Sequence, residues 1–177
     1  MTKLEKGYIQ VYTGNGKGKT TAALGQALRA AGRELRTLIV MLMKDFPYGE
    51  LRSLHQLKPW IQLEQYGDDR FVLRKQPPSE EDIRSAQLAI KRAQEALLSG
   101  GYDLVILDEV CVAIHFGLLV PEDVISLMKQ KPAPVELILT GRYCPPQLIA
   151  KADLVTEMQE IKHYYQNGVS AREGIES

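Results

Sequence analysis

The chain has 177 residues, enough for one domain of ordinary size with a buried core, and residues 1–177 are read as that single domain. Hydrophobic residues make up 45% and charged residues 25% of it, which excludes whole-chain disorder, collagen and coiled coil. Lys plus Arg and Asp plus Glu both number 22, so the net charge is zero and the bulk positive field of a nucleic-acid binder is missing.

Residues 1–6 are polar and read as no signal or transit peptide. Residues 7–13 carry Tyr8, Ile9, Val11 and Tyr12 and predict a first strand. A glycine-rich turn follows at 14–18. From Lys19 the residues Ala23, Leu24, Ala27, Leu28 and Ala31 fall on one helical face, and Gly32 stands where a C-cap glycine belongs. Residues 35–43 are nearly all apolar, the pattern of a parallel strand buried on both faces. Residues 61–66 give a short strand and 67–79, with Pro77 and Pro78, a polar loop.

Ser79 and Asp82 form a capping-box signal. The helix it opens carries Ile83, Ala86, Ile90, Ala93 and Leu97, and Gly100 and Gly101 end it. A buried strand at 103–107 runs into Asp108 and Glu109. Pro121 opens a short helix, 135–139 is a strand ending in Thr140, Gly141 and Arg142, 145–151 is a helix and 154–157 a last strand. Strands alternating with helices predict an α/β fold, a mostly parallel sheet with helices on both faces. No apolar run is long enough to cross a membrane, and Cys111 and Cys144 read as free thiols of a cytoplasmic protein.

The strongest chemical signal is Gly14, Asn15, Gly16, Lys17, Gly18, Lys19, Thr20 and Thr21 between a strand and a helix. Backbone amides in such a loop converge on phosphate oxygens, and the helix N-terminus adds partial positive charge. Lys19 reaches across the phosphates and the Thr20 hydroxyl suits Mg²⁺. The usual pattern has glycine at the position of Thr13, so this turn opens one residue later. Asp108 and Glu109 end an apolar strand, as Mg²⁺-orienting carboxylates do at the carboxyl edge of a parallel sheet. Arg142 ends another strand and suits a terminal phosphate, although a surface arginine after a turn fits the same pattern. His55, His115 and His163 are scattered and read as surface or packing residues, as do Trp60, Tyr66 and Phe71 unless a flat apolar ligand lies there.

The segments 13–23, 107–109, 139–142, 152–158, 161–163 and 168–176 together resemble the P-loop ATP:corrinoid adenosyltransferases, in that family's order and over nearly the whole chain. The resemblance implies a RecA-like P-loop fold, a homodimer, and MgATP and a reduced corrinoid such as cob(I)alamin as substrates. It also implies a flavoprotein-type electron donor and no nucleic-acid or membrane partner. The reaction it implies moves the 5′-deoxyadenosyl group of ATP onto Co(I) and releases triphosphate. Residues 14–21 then hold ATP, Thr20 and Glu109 bind Mg²⁺ with Asp108 in support, and Lys19 and Arg142 stabilise the phosphates. Phe71 becomes the corrin-facing aromatic. The competing readings are a P-loop ATPase or kinase releasing ADP, and a non-catalytic module that binds ATP or corrinoid.

Overall fold

In a computed structural model, which describes residues 4–45, 49–73 and 76–176, the chain forms a six-stranded sheet flanked by helices. The strands are β1 (Ile9–Thr13), β2 (Thr37–Leu42), β3 (Ile61–Tyr66), β4 (Leu104–Asp108), β5 (Glu136–Thr140) and β6 (Leu154–Glu157). Their order is β3-β2-β4-β5-β1-β6, and every neighbouring pair is parallel. The fold is therefore the expected α/β class, of P-loop NTPase type. All strands point their carboxyl ends to one edge, and β5 stands between β1 and β4.

Because successive residues of a strand face opposite sides, the continuous apolar runs serve two cores. Leu38, Val40, Leu42, Val105, Leu107, Leu137 and Leu139 face one, and Ile39, Met41, Ile106 and Ile138 face the other. The second core is covered by α1 (Lys19–Ala31) and α2 (Gly49–His55). The first is covered by α3 (Arg70–Leu73), α4 (Glu80–Leu98), α5 (Val110–His115), α6 (Pro121–Gln130) and α7 (Pro146–Ile149).

Two long helices meet the sheet through alanines. In α1 these are Ala23, Ala27, Ala30 and Ala31; in α4 they are Ala86, Ala89, Ala93 and Ala96. Small side chains bring the helix axes close to the sheet. Of the larger residues expected on the same faces Leu97 is buried, whereas Leu28 and Ile83 stand aside at 56% and 37% exposed. The Ser79–Asp82 capping box forms as expected, the Asp82 amide donating to Ser79 Oγ at 3.2 Å and the Ser79 amide to Asp82 Oδ2 at 2.7 Å.

Gly32 caps the C-terminus of α1 as expected, with a right-handed φ of −63°; the left-handed residue that turns the chain out of the helix is Glu34, at φ 58°. One local expectation needs correction. The expected polar loop 67–79 contains the helix α3, which carries Phe71 into the core; positions 74 and 75 lie outside the described residues. The helices α2 and α5 and a 3₁₀ turn at Tyr164–Asn167 are too short to announce themselves by periodicity.

Ala93 is completely buried against the sheet. Ala93→Leu is expected to overpack this contact and to destabilise the protein by about 1–3 kcal/mol, read as a lower urea midpoint. An unchanged midpoint would show that α4 has room to shift.

Candidate functional site

The loop after β1 is built on the segment that follows β6. Gly14 turns left-handed at φ 94°, and a Cβ on it would lie 2.4 Å from the Met158 carbonyl oxygen. Only glycine fits there. The Gly16 amide donates to that same carbonyl at 2.7 Å, and the Met158 amide donates to the Thr13 carbonyl at 2.8 Å. Thr13 thus remains in β1 while Gly14 makes the turn one residue later. Gly18, at φ 118°, is the last residue before α1, and no side chain caps that helix. An uncapped helix N-terminus of this kind suits an anion. Lys19 is 6% exposed and curls back so that its ammonium donates to the Gly16 carbonyl at 2.6 Å.

Beside the loop lies Asp108, buried at the end of β4. Its Oδ1 accepts from the Thr140 hydroxyl at 2.7 Å and from the Thr20 hydroxyl at 2.9 Å. Its Oδ2 accepts from the Lys44 ammonium at 2.5 Å. Lys44, just beyond β2, also reaches Thr20 Oγ1 at 3.4 Å. Thr140 in turn accepts from the Glu109 amide at 2.9 Å. Four elements, β2, β4, β5 and α1, therefore meet at one carboxylate.

Glu109 has a left-handed backbone at φ 61°, an arrangement that costs about 1 kcal/mol or more for a non-glycine residue. The turn directs its carboxylate to the cavity over the loop. Burial pushes the Glu109 carboxyl above its usual range, and the neighbouring Asp108 charge pushes it the same way. Lys44, Lys19 and Arg142 pull against this. Burial lowers the Lys19 ammonium, opposed by the charges of Glu109 and Asp108.

The cavity has a volume of about 660 Å³, within the range of small-molecule sites. Gly16, Lys17, Gly18, Lys19, Thr20 and Thr21 form its floor. Glu109, Arg142 and Lys44 stand on one side, Glu50 and Ser53 of α2 contribute, and His163 and residues 174–176 complete it. Three lysines and an arginine around one polar cavity fit a polyanion. Thr20 Oγ1 and the Glu109 carboxylate offer the oxygen donors that Mg²⁺ takes when phosphates supply the rest. Among the described residues no cluster of three or more His, Cys, Asp or Glu is placed to hold a metal ion by itself.

A sequence profile described as ATP:corrinoid adenosyltransferase BtuR/CobO/CobP matches residues 5–177. The chain belongs to this family. It is 34% identical over 173 residues to the corrinoid adenosyltransferase of Escherichia coli K12, covering 97% of this chain and 86% of that protein. It is 35% identical to the corrinoid adenosyltransferase CobA of Salmonella typhimurium LT2, with the same coverage. The corrinoid adenosyltransferase of Pseudomonas aeruginosa PAO1 is 32% identical, over 97% of this chain and 84% of that protein.

In this adenosyltransferase most of the expected site residues come together. Residues 16–21, Glu109 and Arg142 line the cavity, and Asp108 stands behind it as support. Gly14 and Asn15 do not line it; Gly14 instead packs on Met158. The setting expected for Phe71 requires correction. Phe71 is not in a polar loop but 7% exposed in the core, edge-on to Phe116 at 6.0 Å, and it does not line the cavity. An aromatic residue that is exposed beside the site is Tyr143, next to Arg142, left-handed at φ 60° and stacked on His115 at 4.1 Å.

Sequence reasoning missed Lys44, His163, Glu50 and Ser53. Lys44 carried a usable signal, a charge just past an apolar strand, the same sign that picks out Asp108 and Arg142. The two free thiols, far apart in sequence, also meet: a hydrogen bond to Cys144, with burial, pushes the Cys111 thiol up.

Glu109 gives a pH prediction. Its folded pKa lies above the unfolded value of about 4.3, so its ionisation opposes folding. That penalty is absent below the unfolded pKa and complete above the folded one. Glu109→Gln should therefore raise the melting temperature of the ligand-free protein at pH 8, with a gain that shrinks towards pH 5. An equal gain at both values would show that the carboxylate is not perturbed.

Proposed function

We propose that the chain binds MgATP in the cavity over residues 16–21 and transfers its 5′-deoxyadenosyl group to the Co(I) of a corrinoid such as cob(I)alamin, releasing triphosphate. The observation that carries this reading is the family match over residues 5–177, which spans every element that builds the cavity.

The chemistry needs little beyond placement and charge. The cobalt lone pair forms a bond to the ribose 5′-carbon, the C5′–O bond breaks, and its electrons leave on the triphosphate. Cobalt becomes formally Co(III). A nucleophile of this strength needs no general base, and the protein supplies positioning and stabilisation of the departing polyanion. The loop amides and the open first turn of α1 bind phosphate oxygens. Lys19 and Arg142 add charge at the leaving group, and Lys44 adds a third cation that the Asp108 network holds in place. Thr20 and Glu109 would hold Mg²⁺, with Asp108 orienting Thr20 through its hydroxyl. When bound, that ion supplies charge neutralisation on the phosphates. Because C5′ and not the γ-phosphate must face the second substrate, ATP lies in the loop in a different orientation from that in ATPases.

The reaction consumes Co(I), so an electron donor of flavoprotein type supplies the reduced corrinoid. A cytoplasmic setting fits the two unbridged thiols. No helix among the described residues is long and apolar enough to cross a membrane. A homodimer is supported by β6, an edge strand whose Leu154 and Val155 are 44% and 41% exposed.

Incubation with MgATP and chemically reduced cobalamin is expected to give adenosylcobalamin and intact triphosphate in equal amounts, with little turnover of ATP alone. Chromatography of the phosphates decides: ADP as main product would replace the transferase with an ATPase or kinase, and binding without product would leave a non-catalytic module. Lys19→Ala should keep the fold, since the Lys19 ammonium donates to the Gly16 carbonyl of its own loop, and should weaken MgATP binding by roughly 10- to 100-fold in calorimetry. Wild-type affinity in this variant would remove Lys19 from the site.

A further inference from the structure

Residues 159–176 follow β6 and have no core of their own. The 3₁₀ turn Tyr164–Asn167 buries no residue, and Ile161, Tyr165 and Ile175 are 87%, 71% and 58% exposed. What holds this strap is a polar knot around Glu176. Its carboxylate accepts from the Arg172 amide at 2.9 Å, from Arg172 Nε at 3.3 Å and Nη2 at 3.2 Å, and from the Tyr164 hydroxyl. The Arg172 guanidinium lies over the Tyr164 ring at 4.9 Å. Gly168 and Gly174 take the left-handed turns, at φ 82° and 77°, that fold the segment back on itself.

The knot is tied to the phosphate loop at one residue. The Lys17 ammonium donates to the Ile175 carbonyl at 2.8 Å and to Glu176 Oε1 at 3.2 Å. Lys17 lies on the cavity floor, and Gly174, Ile175 and Glu176 form part of the cavity wall. The Glu176 side chain is only 14% exposed while Lys17 remains 42% exposed. The carboxylate is thus the more sheltered partner of the pair. An ammonium has three N–H donors, and the strap takes two of them. The third stays available to a phosphate oxygen, on a side chain whose rotamer freedom has already been lost. Arg172 shares the Glu176 carboxylate, so Lys17 does not surrender its charge to it.

We infer that Glu176 is a positioning residue for the nucleotide: it latches residues 164–176 onto Lys17, which closes one wall of the ATP cavity and sets the Lys17 ammonium against the polyphosphate. The inference rests on the assignment of the cavity to ATP. Its consequence is reciprocal coupling. ATP bound against Lys17 and the wall must tighten the strap, and a strap released from Lys17 must weaken ATP binding by the same factor. The expected size is that of a partly exposed ion pair with hydrogen bonds, a small multiple and not an all-or-none loss.

The test is a double-mutant cycle on MgATP affinity, measured by calorimetry with Glu176→Gln, Lys17→Met and the double variant, together with amide exchange of residues 163–176. Each single variant should weaken MgATP roughly three- to tenfold, and the double variant no more than the weaker-binding single. Glu176→Asp should recover part of the loss. Melting temperatures should stay near wild type, because the strap buries no core. In the wild type MgATP should slow exchange across 163–176, and in Glu176→Gln it should not. Wild-type affinity in Glu176→Gln, or losses that simply add, would overturn the latch while leaving the ATP site in place. A wild-type protein that binds no MgATP would overturn the site assignment and the latch with it.

Discussion

The buried carboxylate of Asp108 is the constraint on which the rest of the site depends. A charge with a side chain 1% exposed is tolerated only when it is paired and hydrogen-bonded. Its partners come from three other elements: Thr20 from the first turn of α1, Thr140 from the end of β5 and Lys44 from the end of β2. Each is thereby fixed in rotamer and direction. Thr140 passes the order on by accepting from the Glu109 amide, which steadies the left-handed turn that exposes Glu109 to the cavity. Strand order makes this possible, since β5 lies between β1 and β4 and places the Thr140 hydroxyl beside Asp108.

Strain gathers at the same edge of the sheet. Among the described residues, three of the four non-glycine residues with left-handed backbone are Met43, Glu109 and Tyr143, which follow β2, β4 and β5. Such conformations persist where surrounding structure over-determines them, and here they turn the chain sharply out of each strand. The result is that Lys44, Glu109 and Arg142, one residue from each strand exit, all reach one cavity. Below the loop the constraint is steric: carbonyl oxygens of Met158 and Gln159 leave no room for a Cβ at Gly14 or Gly16. The backbone after β6 is therefore part of the foundation of the loop 14–18, although it is far away in the chain.

Much of this was legible in the sequence. The long apolar runs marked β2, β4 and β5, and the capping box marked the start of α4, because these signals are local and unopposed. The loop 14–21 stood out because glycines recurring between a strand and a helix serve neither element's packing. Asp108, Glu109 and Arg142 stood out because a charge closing an apolar strand gains nothing from the core beside it. What was not legible depends on contacts between distant segments. Phe71 sits among polar neighbours in sequence, yet the four-residue helix α3 turns it onto Phe116 in the core. The left-handed turn out of α1 falls two residues beyond its C-cap Gly32, at Glu34, which no local signal marks. The approach of residues 174–176 to Lys17 has no periodicity or motif chemistry to announce it.

The coupling at Asp108 can be measured directly by unfolding free energies of Asp108→Asn, Lys44→Met and the double variant. Asp108→Asn leaves the Lys44 ammonium, itself 13% exposed, without its carboxylate, and should destabilise the protein by about 3–5 kcal/mol. Removing Lys44 as well should return a substantial part of that loss, a coupling of about 1–3 kcal/mol. Losses that add, or an Asp108→Asn protein as stable as the wild type, would contradict the claim that this carboxylate organises the site.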